Sequence, residues 1–268
     1  MKTAKTNKPL ILKYFLISLF LSLLLLFLFF SLQPAAPRTP ATLISTTNVH
    51  PSSSSSASSA VSSSDDDGLK IRPGYSSYDS YIQRQLNKTL NPKLRKIWTT
   101  RDWDRKIQVF SKFFDELKRE NLLSNSSKAL SIGARVGQEV EALKRVGVSD
   151  SIGIDLVPCP PLVLQGDFHN QPFDNETFDF EFSNVFDHAL YPHKFVSEVE
   201  RTLKPNGVCV LHVALSRRAD KYSANDLYSV RPLVKLFQRS ELVRVRKVDG
   251  FGLDTEVVFR KKNSIQRS

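Results

Sequence analysis

The sequence predicts a doubly wound α/β fold, a mostly parallel sheet with helices on both faces, and two observations over residues 128–262 carry the prediction. Short apolar runs alternate with amphipathic helical stretches, the pattern of parallel strands joined by helical crossovers. Glycines and carboxylates stand just past the ends of those runs, where an open α/β sheet binds its ligands.

In chain order, the first segments precede that fold. Residues 1–13 form a short tail carrying Lys2, Lys5, Lys8 and Lys13. Residues 14–32 are 19 positions without a charge, almost wholly Leu, Phe, Ile and Ser, enough to cross most of a hydrocarbon core at ~1.5 Å per residue. The run exceeds the apolar region of a cleaved signal peptide, and Ala35 and Ala36 are wedged between Pro34 and Pro37, so an uncleaved transmembrane signal anchor is expected. Lysines precede it and Arg38 is the only charge for many residues after it, which predicts a cytosolic N-terminus and a lumenal or extracellular bulk. Residues 33–75 read as a disordered stem, mostly Pro, Ala, Thr and Ser, with too little apolar content to offset the entropy of ordering. Anchor, stem and folded domain together resemble the layout of Golgi-resident type II membrane enzymes. That topology permits N-glycosylation at the sequons of Asn87, Asn125 and Asn175.

Residues 76–127 read as a helical extension: Trp103, Ile107, Phe110, Phe114 and Leu117 recur at spacings of 4, 3, 4 and 3, on one face. Trp98, ahead of that stripe, is either core or a pocket wall. Strands follow at 129–133, 151–155, 162–165, 178–183 and 208–214, with helices at 138–145 and 193–203, the latter starting beside Pro192. A helical segment at 227–237 leads into two β-rich stretches, 242–248 and 256–259, joined as a hairpin around Gly250 and Gly252.

The net charge of +11 does not make a nucleic-acid footprint, because Lys and Arg gather at the two ends while the middle mixes both signs; no nucleic-acid partner is expected. Cys159 and Cys209 lie 50 residues apart without a CxxC pair or a histidine at ligand spacing, which argues against a structural metal. Cys209, inside an apolar run, reads as core.

After the first strand comes SIGARVG at 131–137, where Gly133 and Gly137 let the backbone bend and approach a ligand. Asp155 ends the second strand, placed to accept from both hydroxyls of a ribose. Asp167 and Phe168, after the third, suit an adenine amino group and ring face. A dinucleotide fingerprint would need glycines where Arg135 and Gln138 stand, so a dehydrogenase is disfavoured.

These residues, with GDF at 166–168, TFDF at 177–180 and EVERTLKPNG at 198–207, resemble the class I, seven-stranded S-adenosylmethionine-dependent methyltransferases of the type 11 group, and most closely a set of plant membrane-anchored members. The resemblance implies a Rossmann-like seven-stranded sheet, S-adenosyl-L-methionine as cofactor, and methyl transfer to an unidentified acceptor, a small molecule or a glycan. It assigns Gly133, Ala134, Arg135 and Gly137 to the methionine end, Asp155 and Leu156 to the ribose, Asp167 and Phe168 to the adenine, and Asn184 and Val185 to the amino group and methyl. Two positions depart from the family pattern: Ser131 stands where an acid is usual and Arg135 where a glycine is usual. A non-catalytic domain of the same fold is therefore the alternative. An alcohol acceptor would need a base, and His188 is the first candidate, with Asp187 as helix cap or partner and His169 beside Asn170 a weaker one.

Overall fold

A computed structural model of the chain describes residues 68–215 and 220–263. The tail, the anchor at 14–32 and nearly all of the stem lie outside the described residues. The described part opens with strand β1 (Leu69–Ile71) and three helices, α1 (Tyr78–Thr89), α2 (Pro92–Thr99) and α3 (Trp103–Arg119). The sheet domain follows as β2 (Ala129–Ile132), α4 (Gln138–Arg145), β3 (Ser151–Asp155), β4 (Val163–Gln165), β5 (Phe178–Ser183), α5 (Pro192–Thr202) and β6 (Leu203–Val213). It ends with β7 (Asn225–Leu227), α6 (Arg231–Leu236), β8 (Ser240–Gly250) and β9 (Leu253–Lys261).

Seven strands form one sheet in the order β4-β3-β2-β5-β6-β9-β8, parallel except for β9, which runs antiparallel to both neighbours. This is the predicted doubly wound, mostly parallel architecture. The switch point lies between β2 and β5, so the loops after β2, β3, β4 and β5 open on one edge. Both faces are covered. On one, Ile107, Phe110, Phe114 and Leu117 of α3 pack with Ala142 and Leu143 of α4 against Phe180, Phe182, Val208 and Val210. On the other, Phe195, Val196 and Val199 of α5 cover Leu130, Ile132, Cys209 and Leu211. The α3 stripe thus spends its apolar spacing on core, each fully buried side chain contributing about 1.5–3 kcal/mol.

Four details differ from the sequence reading. Strand β1 falls inside the stretch assigned to the stem and pairs antiparallel with β7, so the ordered part begins by Gly68. Three residues are too short to carry a readable alternation. The same pairing takes Leu227 out of the helix expected there, which shortens to α6. Strand β6 starts five residues early: Leu203 pairs with Phe178, and residues 204–207 bulge out before pairing resumes at Val208 opposite Phe180, with Asn206 at φ 63°. The β8–β9 hairpin is longer than expected and turns at Phe251 and Gly252, both at positive φ, 60° and 95°.

Candidate active site

At the parallel edge the loop after β2 is shaped by close packing. Gly133 adopts φ 74°, and a Cβ there would lie 2.3 Å from Cγ2 of Val185, so only glycine fits against the β5 loop. Ala134 is buried, its methyl filling the space over Gly153. Gly137 (φ 91°) starts α4 beneath Leu162. Ala134 and Gly137 therefore hold the loop on the sheet and do not line the cavity that the loop borders. Arg135, at φ 52°, donates its backbone N–H to Oδ2 of Asp155 at 2.9 Å. Oδ1 of Asp155 accepts from the Val157 N–H at 3.3 Å. Burial pushes the Asp155 carboxyl upward against these two bonds.

One cavity joins Gly133, Arg135, Asp155, Leu156, Asp167, Phe168, Val185 and His188, and its roof is α1, through Tyr81, Gln85, Lys88 and Thr89. Eight expected positions, from all four parallel-edge loops, thus meet in one place. The α1 roof was not foreseen; the segment reads as a plain amphipathic helix, and nothing local says which face meets the sheet edge.

The roof is fastened at both ends. The Tyr78 hydroxyl donates to Oδ2 of Asp167, and the same oxygen lies 2.8 Å from Nδ1 of His169. Since Nε2 of His169 accepts the Tyr191 N–H at 3.2 Å, a neutral ring carries its proton on Nδ1 and donates it to Tyr78. Burial would raise the Asp167 carboxyl, but the bonds from His169 and Tyr78 take it below its usual value. Further along, Tyr81 donates to the His188 carbonyl at 2.9 Å.

His188 is largely enclosed. Nε2 of Gln85 is committed to the Tyr222 carbonyl, so its Oε1 accepts from Nδ1 of His188 at 3.1 Å, and Nε2 of His188 accepts from the Lys88 ammonium at 3.0 Å. Lys88 also pairs with Asp220 at 2.8 Å. Burial lowers the His188 pKa, and the facing Lys88 lowers it further. The lone pair a base would use is already engaged by a cation. Asp187 accepts from the Ser223 hydroxyl and caps no helix.

A second cavity, of about 310 Å³, adjoins the first across Lys88, Arg135, Val185 and His188. Asn184, Lys106 of α3 and the β8–β9 turn complete its wall. Asn184 donates to Oε1 of the buried Glu139 at 3.0 Å, and the Arg135 guanidinium lies 3.5 Å from the same carboxylate and over the Trp98 ring. Trp98 thereby serves as the seat of Arg135. Ser131, buried in β2, offers no charge.

Residues 130–211 match the family model described as a methyltransferase domain. That match indicates S-adenosylmethionine as the cofactor. Among solved structures, the chain is similar to the Burkholderia thailandensis 1,6-didemethyltoxoflavin-N1-methyltransferase, crystallised with its substrate and S-adenosylhomocysteine, at 15% identity and TM-score 0.56, over 72% of this chain and 94% of that one. A methyltransferase from Aquifex aeolicus aligns at 18% identity and TM-score 0.44, over 55% of this chain and 88% of that one. At such identities the likeness is one of fold. No curated protein sequence matches the chain.

Proposed function

We propose that the domain is a methyltransferase whose larger, lumenal part is tethered by the segment at 14–32, and that it moves a methyl group from S-adenosylmethionine to an acceptor in the second cavity. The observation that carries this reading is the single cavity that joins Gly133, Asp155 and Asp167. The residues fit the cofactor: a buried carboxylate offers remaining lone pairs to a ribose, Phe168 supplies a ring face beside Asp167, and Gly133 packed on Val185 forms the wall between them and the second cavity. Val185, at the junction of the cavities, and Asn184, on the wall of the second, border the reacting end in this reading.

The bound cofactor supplies a methyl carbon already activated by its sulfonium, so the protein's share is chiefly placement and exclusion of water. Helix α1 does the excluding, clamped by Tyr78 and by the Gln85–His188–Lys88 bonds. His188 is in this reading a positioning residue that holds Lys88 and the roof. The departures at Ser131 and Arg135 support the alternative of a fold without turnover, yet Arg135 keeps the left-handed backbone a glycine would take, with its side chain drawn to Trp98 and Glu139.

Calorimetric titration of the full chain with S-adenosylhomocysteine tests the reading. Binding is expected, and Asp155→Asn is expected to weaken it by about 1.5–3 kcal/mol, tenfold or more, with the fold retained. A wild-type chain that binds neither S-adenosylhomocysteine nor S-adenosylmethionine overturns it.

A further inference from the structure

The second cavity contains an ammonium that makes no hydrogen bond or ion pair among the described residues. It belongs to Lys106, which is only 7% exposed. Its ammonium lies over the face of Phe251, 4.9 Å from the ring centroid. Glu139 and Asp102 attract it without bonding it, and the bonds of the surrounding carboxylates go to other groups: Asp102 to Arg101, Oε1 of Glu139 to Asn184 and Arg135, and Asp220 to Lys88. Burying an ammonium without a partner costs several kcal/mol, a cost that a ligand anion would offset.

We propose that Lys106 is the anion receptor of the acceptor pocket, and that the acceptor is a small acid whose carboxylate sits on this ammonium with its apolar body against Val185, Ala214, Phe251 and Leu253. The inference rests on the methyltransferase reading and adds the substrate class. A carboxylate fits better than a phosphate, since one ammonium answers one negative charge and Asp187 and Asp220 line the same cavity. A volume of about 310 Å³ suits a molecule of one or two rings. The turn that carries Phe251 holds this bulky residue at φ 60°, which brings its ring under Lys106 and against Phe110. Burial pushes the Lys106 pKa down to about 8, so near neutrality the ammonium keeps its proton and its charge.

The test uses the full chain saturated with S-adenosylhomocysteine and two probes of equal shape, benzoate and benzamide, read by saturation-transfer NMR. Benzoate is expected to bind about tenfold more tightly. Lys106→Met should abolish that preference and leave S-adenosylhomocysteine binding within about twofold, while Lys106→Arg retains the preference. The Met variant should also melt higher, because it removes an unpaired buried charge, so lost binding cannot be ascribed to misfolding. Equal binding of benzoate and benzamide to the wild type overturns the proposal. So does a Lys106→Met chain that loses S-adenosylhomocysteine but keeps 5′-methylthioadenosine, which lacks the amino-acid end; the lysine would then hold the cofactor's own carboxylate. Failure of the wild type to bind S-adenosylhomocysteine strikes the methyltransferase reading itself, and a benzoate preference surviving it leaves an acid-binding pocket without that chemistry.

Discussion

At the scale of single residues, the sheet holds one carboxyl out of its ordinary protonation state, at a position that lines neither cavity. Glu181, in the middle of β5, is fully buried; Oε1 accepts from the Thr202 hydroxyl at 2.7 Å and Oε2 has no partner among the described residues. Burial raises its pKa to about 8 from 4.5. Between those values the folded chain keeps a proton that the unfolded chain has released, so this group's stability contribution is complete below pH 4.5 and is lost as pH rises toward 8. Glu181→Gln is expected to flatten that decline and to raise the melting temperature at pH 8 more than at pH 5; an unchanged slope would mean that other groups carry it. The sequence places a strand at 178–183 without showing how its polar residues are satisfied: β5 is central and covered on both faces, so Glu181 needs an internal partner, and Thr202 comes from a helix that only the fold brings beside it. The positions of Gly133, Asp155 and Asp167 beside one cavity were legible because each is set locally: a turn, a strand end and the next helix suffice to place them. Lys106 was legible only as one more cation on a helix, since its isolation arises from α3 packing beside a turn 145 residues away.

At the scale of elements, helices that the sequence shows as amphipathic divide into two kinds that periodicity alone does not separate. Helix α3 belongs to the core, with Ile107, Phe110, Phe114 and Leu117 fully buried. Helix α1 is a roof, attached through Tyr81, which is buried, and through polar bonds to the β4 and β5 loops. An element tied down mainly by a few side-chain bonds opens more readily than one buried in a core. Tyr78→Phe removes the hydroxyl that joins Asp167 to His169 and leaves a partly exposed carboxylate one donor short, a loss of about 1 kcal/mol. Amide exchange in α1 is expected to accelerate about fivefold, at tenfold for each ~1.4 kcal/mol, with exchange in β2 and β5 unchanged. Equal acceleration in all three would show that the roof and sheet open as one unit. Without the hydroxyl, Asp167 also has more capacity for a ligand, so the same variant separates the roof's hold from the adenine contact: weaker S-adenosylhomocysteine binding follows if closure matters more, tighter binding if the freed carboxylate does.

At the scale of the whole molecule, the three sequons of the sequence fall on the surface of the described domain. Asn87 is exposed on α1, Asn125 on the loop after α3, and Asn175 on the turn before β5. None lines either cavity, so glycans at these positions would stand clear of the chemistry. They differ in local cost: Asn125 packs against Gly147, with its Oδ1 3.1 Å from where a Cβ would be, and Asn175 accepts from Arg201 at 3.2 Å, whereas Asn87 has no hydrogen bond among the described residues. In a lumenal domain the glycan at Asn87 is therefore expected to be the one the fold accommodates at least cost, since it displaces no side-chain bond. In cells, endoglycosidase treatment should raise the gel mobility of the wild-type chain, and Asn87→Gln should remove one step of that shift. Changing Lys2, Lys5, Lys8 and Lys13 to acidic residues reverses the charge bias across residues 14–32 and should abolish every step at once by turning the domain to the cytosol. A wild-type chain with no shift, together with protease digestion of the domain in intact microsomes, would place it on the cytosolic side and leave the cofactor and acceptor readings standing without the lumenal one.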